Sequence, residues 1–280
     1  MAIINSYATL AEFKAHITPP RQTLQIDTTD DKEIESILEA ASRRVDDMIG
    51  RVFYPYVQTY AYDAPVENLI WFGADLLSLT TLTNGNGTVL TSTDYVLMPA
   101  NLYPKHSIKL RDTSAYYWEM NSAGSIEQVI TALGFWGYHE QYTTRAWKQV
   151  GTLGAAWEST STLTATLTTG YTLDTLGGEI IKIDNEIMIS DHVNTTTLTV
   201  QQRGDNGSTA ATHLISSVVY AWQPMKDIKQ LTIEVAKIMY RSRYGDAETT
   251  ATYTNSGIIV TPRSLPVWAQ EVVSKYSRRT

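Results

Sequence analysis

Residues 30–53 read DDKEIESILEAASRRVDDMIGRVF, and this stretch decides the expected fold class. Its apolar residues recur every three or four positions, as on one face of an α-helix. Acidic residues at its start suit the positive end of the helix dipole, and Gly50 can end a helix in a left-handed conformation. The stretch therefore predicts a long amphipathic helix with one buried face. The apolar positions are Ile34, Ile37, Leu38, Ala41, Val45, Met48 and Ile49.

Helical patterns also occur near both ends of the chain. Thr9 and Glu12 have the spacing of a capping box, which predicts a short helix that stops before the next prolines. Residues 226–244 and 264–276 carry apolar residues at helical spacing. Residues 246–260, which lie between them, are rich in threonine and show little periodicity, so we expect a mobile loop there.

The middle of the chain has the pattern of short strands. In residues 57–138, the sequence Asn84-Gly85-Asn86-Gly87 is a strong signal for a hairpin turn. Residues 155–222 alternate apolar and polar side chains between closely spaced turns, including a hairpin around Asp184 and Asn185. This second block predicts an all-β module, either a small barrel or a sandwich.

Together these patterns predict an α+β fold in two parts. The first part is a helical bundle body with a short antiparallel β block, formed by residues 1–154 and 223–280. The second part is the inserted all-β module of residues 155–222.

Composition excludes several classes of function. The 280-residue chain has no cysteine, so disulfides, thiolate metal sites and cysteine nucleophiles are excluded. Its net charge of -7 disfavours general binding of nucleic acids, which usually needs a basic excess. No apolar stretch approaches the roughly 20 residues that span a bilayer, so we expect no membrane association.

The search for catalytic and metal-binding patterns gives mostly negative results. His139-Glu140 begins like a zinc-protease helix, but Thr143 stands where the second histidine is required. Asp184, Glu186 and Asp191 could supply oxygen ligands to calcium, although a hairpin turn with a solvated acidic face explains them better. The sequence therefore predicts no catalytic residue, no metal site and no cofactor, and the protein is expected not to be an enzyme.

Four segments of the chain together resemble sequences found in one family of structural proteins. They are YATLAEFK (7–14), IESILEAASRRVDDMIGRVF (34–53), MYRSRY (239–244) and VVSKYSRR (272–279). These segments resemble head-to-tail connector proteins of long-tailed bacteriophages, also called adaptor or head-completion proteins. The resemblance covers residues 7–54 and about 224–279 well, and residues 127–147 loosely.

The block of residues 155–222 departs from compact members of that family. Its segments IDNEIM (183–188) and QRGDNGSTAATH (202–213) resemble a small β module that recurs in phage structural proteins. The role of this module is left open by the resemblance.

The resemblance implies a virion protein at the head-tail interface that is assembled in the host cytoplasm. It implies a homo-oligomeric ring, commonly a dodecamer, through which DNA passes without sequence-specific binding. One face of the ring would bind the portal protein, and the other would bind a tail-side stopper or tail-terminator protein. The expected contacts with the portal or with neighbouring subunits are Arg241, Arg243, Trp268, Tyr276, Arg278 and Arg279.

Two other functions compete with the connector. The first is a tail or baseplate component whose inserted β module binds host-surface glycan, because the chain has 7 Trp and 17 Tyr that could stack on sugars. The second is a glycan-degrading enzyme, which ranks last because paired carboxylates cannot be recognised from the sequence of this chain.

Overall fold

The computed structural model describes residues 4–17, 28–243, 250–254, 257–261 and 265–278. The helices are α1 (Leu10–Ile17), α2 (Asp31–Ile49), α3 (Tyr142–Arg145), α4 (Lys226–Arg243) and α5 (Val267–Tyr276). The strands of the first half are β1 (Tyr56–Tyr62), β2 (Leu69–Thr83), β3 (Val89–Leu90), β4 (Tyr95–Met98), β5 (Lys105–Leu110) and β6 (Ile130–Trp136). The later strands are β7 (Trp147–Thr152), β8 (Thr164–Thr166), β9 (Ile180–Ile183), β10 (Glu186–Asn194), β11 (Thr197–Val200), β12 (Val218–Trp222), β13 (Thr250–Thr254) and β14 (Gly257–Thr261).

The first sheet has six antiparallel strands in the order β1-β6-β2-β5-β4, with β3 paired to β2. One face of it buries large apolar side chains, among them Ile70, Ile108 and Trp136. The predicted hairpin turn is confirmed, because the Asn84 amide donates to the Thr88 carbonyl at 2.8 Å. The buried Asn84 side chain also holds the long β5–β6 connection beside this turn, since its Nδ2 donates to the Tyr117 carbonyl at 2.8 Å.

The second sheet also has six antiparallel strands, in the order β7-β12-β9-β10-β11-β8. Its two edges meet where Leu153 bridges to Leu167, so that the sheet curls around an apolar core. The predicted hairpin around Asp184 and Asn185 is confirmed as the β9–β10 connection. The sheet begins with β7, ahead of residue 155, and the division of the chain into two domains stays a prediction.

The helices α1, α2, α4 and α5 pack into a helical cluster with its own apolar core. The predicted long helix is confirmed as α2, and Gly50 ends it with a φ of 73°. The predicted capping box is also confirmed. The Glu12 amide donates to Thr9 Oγ1 at 3.2 Å, and the Thr9 amide donates to Glu12 Oε2 at 3.0 Å.

The predicted helical bundle body is wrong. Two six-stranded antiparallel sheets make up most of the described chain, which has five helices. The extent of the first sheet is not evident from the sequence, because β2 is 15 residues long and its pairing shifts register three times. One shift lies between Trp71 and Leu76 in the pairing with β5, and two lie in the pairing with β6. Each shift turns the alternation of buried and exposed side chains out of phase, which hides a long strand from a period-two search.

The expected mobile loop over residues 246–260 is wrong where the structure describes the chain. β13 and β14 form an antiparallel hairpin from the pair Thr250–Thr261 to the pair Thr254–Gly257. Its sequences, TATYT and GIIVT, are rich in β-branched residues, which favour strands.

Candidate assembly surface

Tyr276, one of the predicted contact residues, lies in the core of the helical cluster. Only 4% of it is exposed, and its ring makes edge contacts with the rings of Phe53 and Tyr138. Its hydroxyl donates to Asp227 Oδ2 at 3.0 Å and accepts from Lys275 Nζ at 2.7 Å. These contacts fasten the end of α5 to the start of α4.

Arg278, a second predicted contact residue, ties the end of the chain to two other elements. Its backbone amide donates to the Ile49 carbonyl at the end of α2, at 3.1 Å. Its guanidinium donates to the carbonyls of Gly73 and Phe72 in β2. The C-terminal segment therefore joins the helical cluster to the first sheet.

Arg51 strengthens the same junction from the opposite side. Its Nε donates to the Tyr276 carbonyl at 2.9 Å, and its Nη1 donates to Asp75 Oδ1 at 2.6 Å. Burial alone would raise the pKa of Asp75, but hydrogen bonds from His106 and Arg51 outweigh it and hold that pKa below its usual range. The Gly-Arg sequence that follows α2 thus connects three parts of the molecule.

The other predicted contact residues have different surroundings. Trp268 is 37% exposed and stands on the outer side of α5 beside Val267, which is 72% exposed. Arg241 is half-buried on α4. Arg243 belongs to α4, but its side chain and the whole of Arg279 lie outside what the structure describes. Of the six residues, Tyr276 and Arg278 come together at the C-terminal junction, and Trp268 is the exposed aromatic among them.

Sequence reasoning missed a buried ion network in the second sheet. Arg203 donates from Nε and Nη2 to the two carboxylate oxygens of Glu186, at 2.8 and 2.9 Å. The two side chains are 3% and 0% exposed. Arg203 also donates to the Ser159 carbonyl at 2.6 Å and covers the Trp157 ring, 3.9 Å from its centroid. A bidentate pair of this kind fixes the segment after β11 against β10 and against the loop at Ser159.

His213 completes the network. Its Nδ1 lies 2.8 Å from Asp184 Oδ2, and its Nε2 lies 2.9 Å from Glu186 Oε2. Because both ring nitrogens face carboxylate oxygens, only the doubly protonated ring can donate to both. Burial lowers the pKa of His213, but the hydrogen bonds to Glu186 and Asp184 raise it more, so the pKa is raised overall. In turn, hydrogen bonds from Arg203 and His213 overcome the burial of Glu186 and lower its pKa to about 2.

These contacts account for the acids that the sequence offered as calcium ligands. Asp184 and Glu186 bind His213, and Asp191 pairs with the exposed His192 at 2.8 Å. Across the described residues, no group of three or more His, Asp or Glu side chains is placed to hold a metal ion. The sequence did carry the signal for the network, since Glu186, Arg203 and His213 all lie in the two segments that resemble a recurring β module.

The same segments attach the second sheet to the rest of the molecule. The side-chain amides of Asn206 and Asn5 bind each other through two hydrogen bonds, at 2.7 and 2.8 Å. The Val57 amide of β1 donates to the Asn206 carbonyl at 2.7 Å. Gly207 follows with a φ of +78°, and a Cβ there would lie 2.2 Å from the Val57 carbonyl oxygen. The Asn206-Gly207 turn is therefore a close contact between the two sheets.

The structure describes all of residues 155–222. None of the tryptophan and tyrosine side chains in this block exposes a ring face on which a sugar could stack. Trp157 and Trp222 are 4% and 3% exposed, and Tyr171 and Tyr220 are half-buried. The large exposed apolar side chains of this block are aliphatic, with Leu214 and Ile215 at one turn. The glycan-binding alternative therefore has no exposed aromatic platform in the module.

A groove of about 690 Å³ lies at the start of α4. Its wall contains His139, whose Nδ1 accepts from the Gln141 amide at 3.0 Å and whose Nε2 donates to the Gln223 carbonyl at 3.1 Å. Burial lowers the pKa of His139 to about 4, so the ring is neutral near pH 7. His139 thus shapes the groove through hydrogen bonds and carries no charge into it.

Comparison with known proteins gives little support beyond this geometry. No protein-family model matches the chain, and no curated protein matches it. Among solved structures, the chain is similar to the neck of an empty GTA particle computed with C6 symmetry. The similarity covers 49% of this chain and 68% of that chain, with 12% sequence identity and a TM-score of 0.31. A likeness this low carries no argument about fold or function. Separately, none of the helices described is long and apolar enough to cross a membrane.

Proposed function

We propose that this protein is a non-catalytic virion component that forms a ring, of twelve copies, between the portal and the tail. The ring surrounds the DNA channel and binds the portal protein on one face. On its other face it binds a tail-side stopper or tail-terminator protein.

The observation that carries the proposal is how the structure arranges the segments that resemble connector proteins. Residues 7–54 and 224–279 are far apart in sequence, yet their helices pack around one core. The ring of Phe53 contacts the rings of Tyr7 and Tyr276, one from each segment. A single connector-like unit requires this packing, and the structure is consistent with that requirement.

Charge and exposure support the same role. The net charge of -7 suits a channel, because like charge discourages DNA from adhering to its wall. Val267 and Trp268 place exposed apolar surface on α5, and tryptophan is enriched at the centres of protein interfaces. This part of α5 is the proposed portal contact.

The test measures binding of the chain to the cognate portal ring by co-sedimentation. The wild-type chain should sediment with the portal, and the double variant Val267→Ser, Trp268→Ala should bind at least about 30-fold more weakly, as expected when an interface tryptophan is removed. The matched control is Leu214→Ser, Ile215→Ser, which alters another exposed apolar pair, at the turn before β12, and should bind normally.

Failure of the wild-type chain to sediment with the portal would contradict the proposed function. Equal binding by the α5 variant and the control would contradict the proposed portal contact. Point variants are preferable to removing residues 264–280, because that deletion would also take Ala269 and Tyr276 out of the core.

A further inference from the structure

An acidic tip lies at the end of the first sheet where β1 ends and β6 begins, and it is formed by residues 63–68 and 119–128. Their sequences, DAPVEN and EMNSAGSIEQ, contain four acids and no lysine or arginine. The two segments are tied together, since the Ala64 amide donates to the Ile126 carbonyl at 2.8 Å and the Gln128 amide donates to Asp63 Oδ1 at 2.8 Å. The tip is therefore an ordered surface.

Apolar side chains stand among the acids of this tip. Val66 is 106% exposed, Met120 is 55% exposed and Ile126 is 50% exposed. Asp63 and Glu67 flank Val66 along the chain, and both are exposed. Exposed apolar side chains gathered at one ordered site indicate a binding surface, and the surrounding acids specify a basic partner.

The groove at the start of α4 has the complementary character, and we refer to it as the basic groove. Its floor includes the apolar side chains of Met225 and Ile233. Arg145 and Lys226 line it, are exposed, and form no ion pair with any residue the structure describes. These two cations are available to an acidic partner.

Of the remaining charges of the groove, Lys229 and Asp227 form ion pairs, and Glu140 keeps its negative charge. Lys229 binds Glu12 Oε1 at 2.6 Å, and Asp227 binds Lys275 at 3.1 Å. The Glu140 carboxylate accepts from the Tyr138 hydroxyl at 3.2 Å. With three cations and two carboxylates in its lining, the groove carries a net charge of +1 in a chain of net charge -7.

The tip and the basic groove of one chain lie at opposite ends of β6. Gln128 of the tip is two residues before that strand begins, and His139 of the groove is three residues after it ends. A strand of seven residues spans roughly 20 Å, so the two surfaces of one copy are separated by that strand. Two different, complementary surfaces on one subunit make a head-to-tail contact, which closes into a ring when the rotation between copies allows it.

We propose that the acidic tip of one copy inserts Val66 into the basic groove of the next copy. Asp63, Glu67, Glu119 and Glu127 then face Arg145 and Lys226. The inference rests on the proposed ring and names the contact between its subunits.

Disulfide crosslinking tests this contact directly, because the natural chain has no cysteine. The double variant Val66→Cys, Gln230→Cys places one thiol on the tip and one in the groove, both at exposed positions. Oxidation should give a ladder of covalent oligomers on a non-reducing gel. Each single variant should give no ladder, and an equal mixture of the two single variants should give dimers only.

Charge reversal provides a second test that does not depend on a disulfide. Arg145→Glu, Lys226→Glu should weaken self-association at least about tenfold, and Glu67→Lys, Glu127→Lys should do the same. Mixing these two variants should restore association between them. The controls are Lys32→Glu and Glu158→Lys, which reverse exposed charges elsewhere and should leave association unchanged.

The outcomes separate this inference from the proposed function. If the wild-type chain joins portals but the double cysteine variant gives no ladder under the same conditions, the tip-groove contact is wrong and the connector function stands. If charge reversal at the tip has no more effect than Glu158→Lys, the contact is also wrong. If the wild-type chain does not join portals, the proposed function fails whatever the ladder shows.

Discussion

The helical cluster and the second sheet each bury a carboxylate, and they treat it in opposite ways. In the helical cluster, Asp46 accepts from the Tyr7 hydroxyl at 2.5 Å, and burial raises its pKa to about 6. In the second sheet, hydrogen bonds from Arg203 and His213 overcome burial and lower the pKa of Glu186 to about 2. Burial in the helical cluster thus disfavours the charged form of Asp46, whereas the second sheet is organised around a charged carboxylate.

The difference shows which interactions specify each region. The helical cluster buries a continuous set of apolar side chains from both ends of the chain. The second sheet combines an apolar core with an ion network that joins the β9–β10 hairpin to the loops of Ser159 and Arg203. We therefore expect the two regions to respond differently to substitution and to pH.

Removing the central cation of the network should have the largest effect. Arg203→Ala leaves Glu186 charged and buried without its main partner and uncovers Trp157, so it should lower the free energy of unfolding by about 3–5 kcal/mol. Urea unfolding followed by tryptophan fluorescence measures this loss. Arg44→Ala, at an exposed position on α2, should stay within about 0.5 kcal/mol of the wild type. A loss below about 1 kcal/mol for Arg203→Ala would show that the network does not stabilise the second sheet.

A cavity in the helical cluster should have the next largest effect. Leu38 is fully buried on α2, and Leu38→Ala should cost about 3 kcal/mol through lost apolar contacts. Far-ultraviolet circular dichroism should show the helices unfolding at a lower urea concentration. The urea midpoint reported by a probe of the second sheet should fall by less. Equal destabilisation of both probes would mean that the two regions unfold as one unit.

Gly207 tests the contact between the two sheets. Gly207→Ala and Gly170→Ala both place a side chain at positive φ, but only the first brings a Cβ against a neighbouring carbonyl, since nothing lies within 4 Å at Gly170. Gly207→Ala should therefore cost about 1–3 kcal/mol more than Gly170→Ala. Thermal unfolding compares the two variants, and equal losses would mean that the Asn206-Gly207 turn does not fix the sheets against each other.

The pH dependence should show the smallest change, with Asp46 and His213 losing stability as the pH rises and Glu186 losing it as the pH falls. The raised pKa of Asp46 gives stability that is complete below its unfolded value of about 3.8 and is lost as the pH rises through about 6. The raised pKa of His213 gives stability that is complete below about 6.5 and is lost at higher pH, as the pH passes its folded value. The lowered pKa of Glu186 gives stability that is present above about 4.5 and is lost as the pH falls through about 2.

A probe of the helical cluster should therefore report a loss of stability between about pH 4 and 6, as Asp46 ionises. His213→Gln should abolish the alkaline loss of the second sheet, since an amide does not titrate. An alkaline loss of the same size in His213→Gln would assign it to another group.

Sequence reasoning succeeded where a structure depends on neighbouring residues. The capping box of Thr9 and Glu12, the α2 helix and the turn at Asn84 each follow from side chains within a few positions. It failed for the extent of the first sheet, because the register shifts of β2 depend on its partners β5 and β6.

Long-range polar contacts were equally hidden from the sequence. Glu186 meets Arg203 and His213 across 17 and 27 positions, and Arg51 meets the Tyr276 carbonyl across 225. The residues were in view as parts of family-like segments, but their pairing is set by the folded chain. The exposure of individual side chains could not be predicted either. Tyr276 and Trp268 belong to one short helix, and only the packing of that helix determines that the first ring is buried and the second is exposed.

Imaging the cognate portal ring after incubation with this chain, by cryo-electron microscopy, tests the central claim most directly. The account predicts an additional ring of twelve copies bound to the portal, with α5 at the portal contact and the helical cluster built from both ends of the chain. Portal particles without added density, at a concentration of the chain that would saturate the ring, would contradict it.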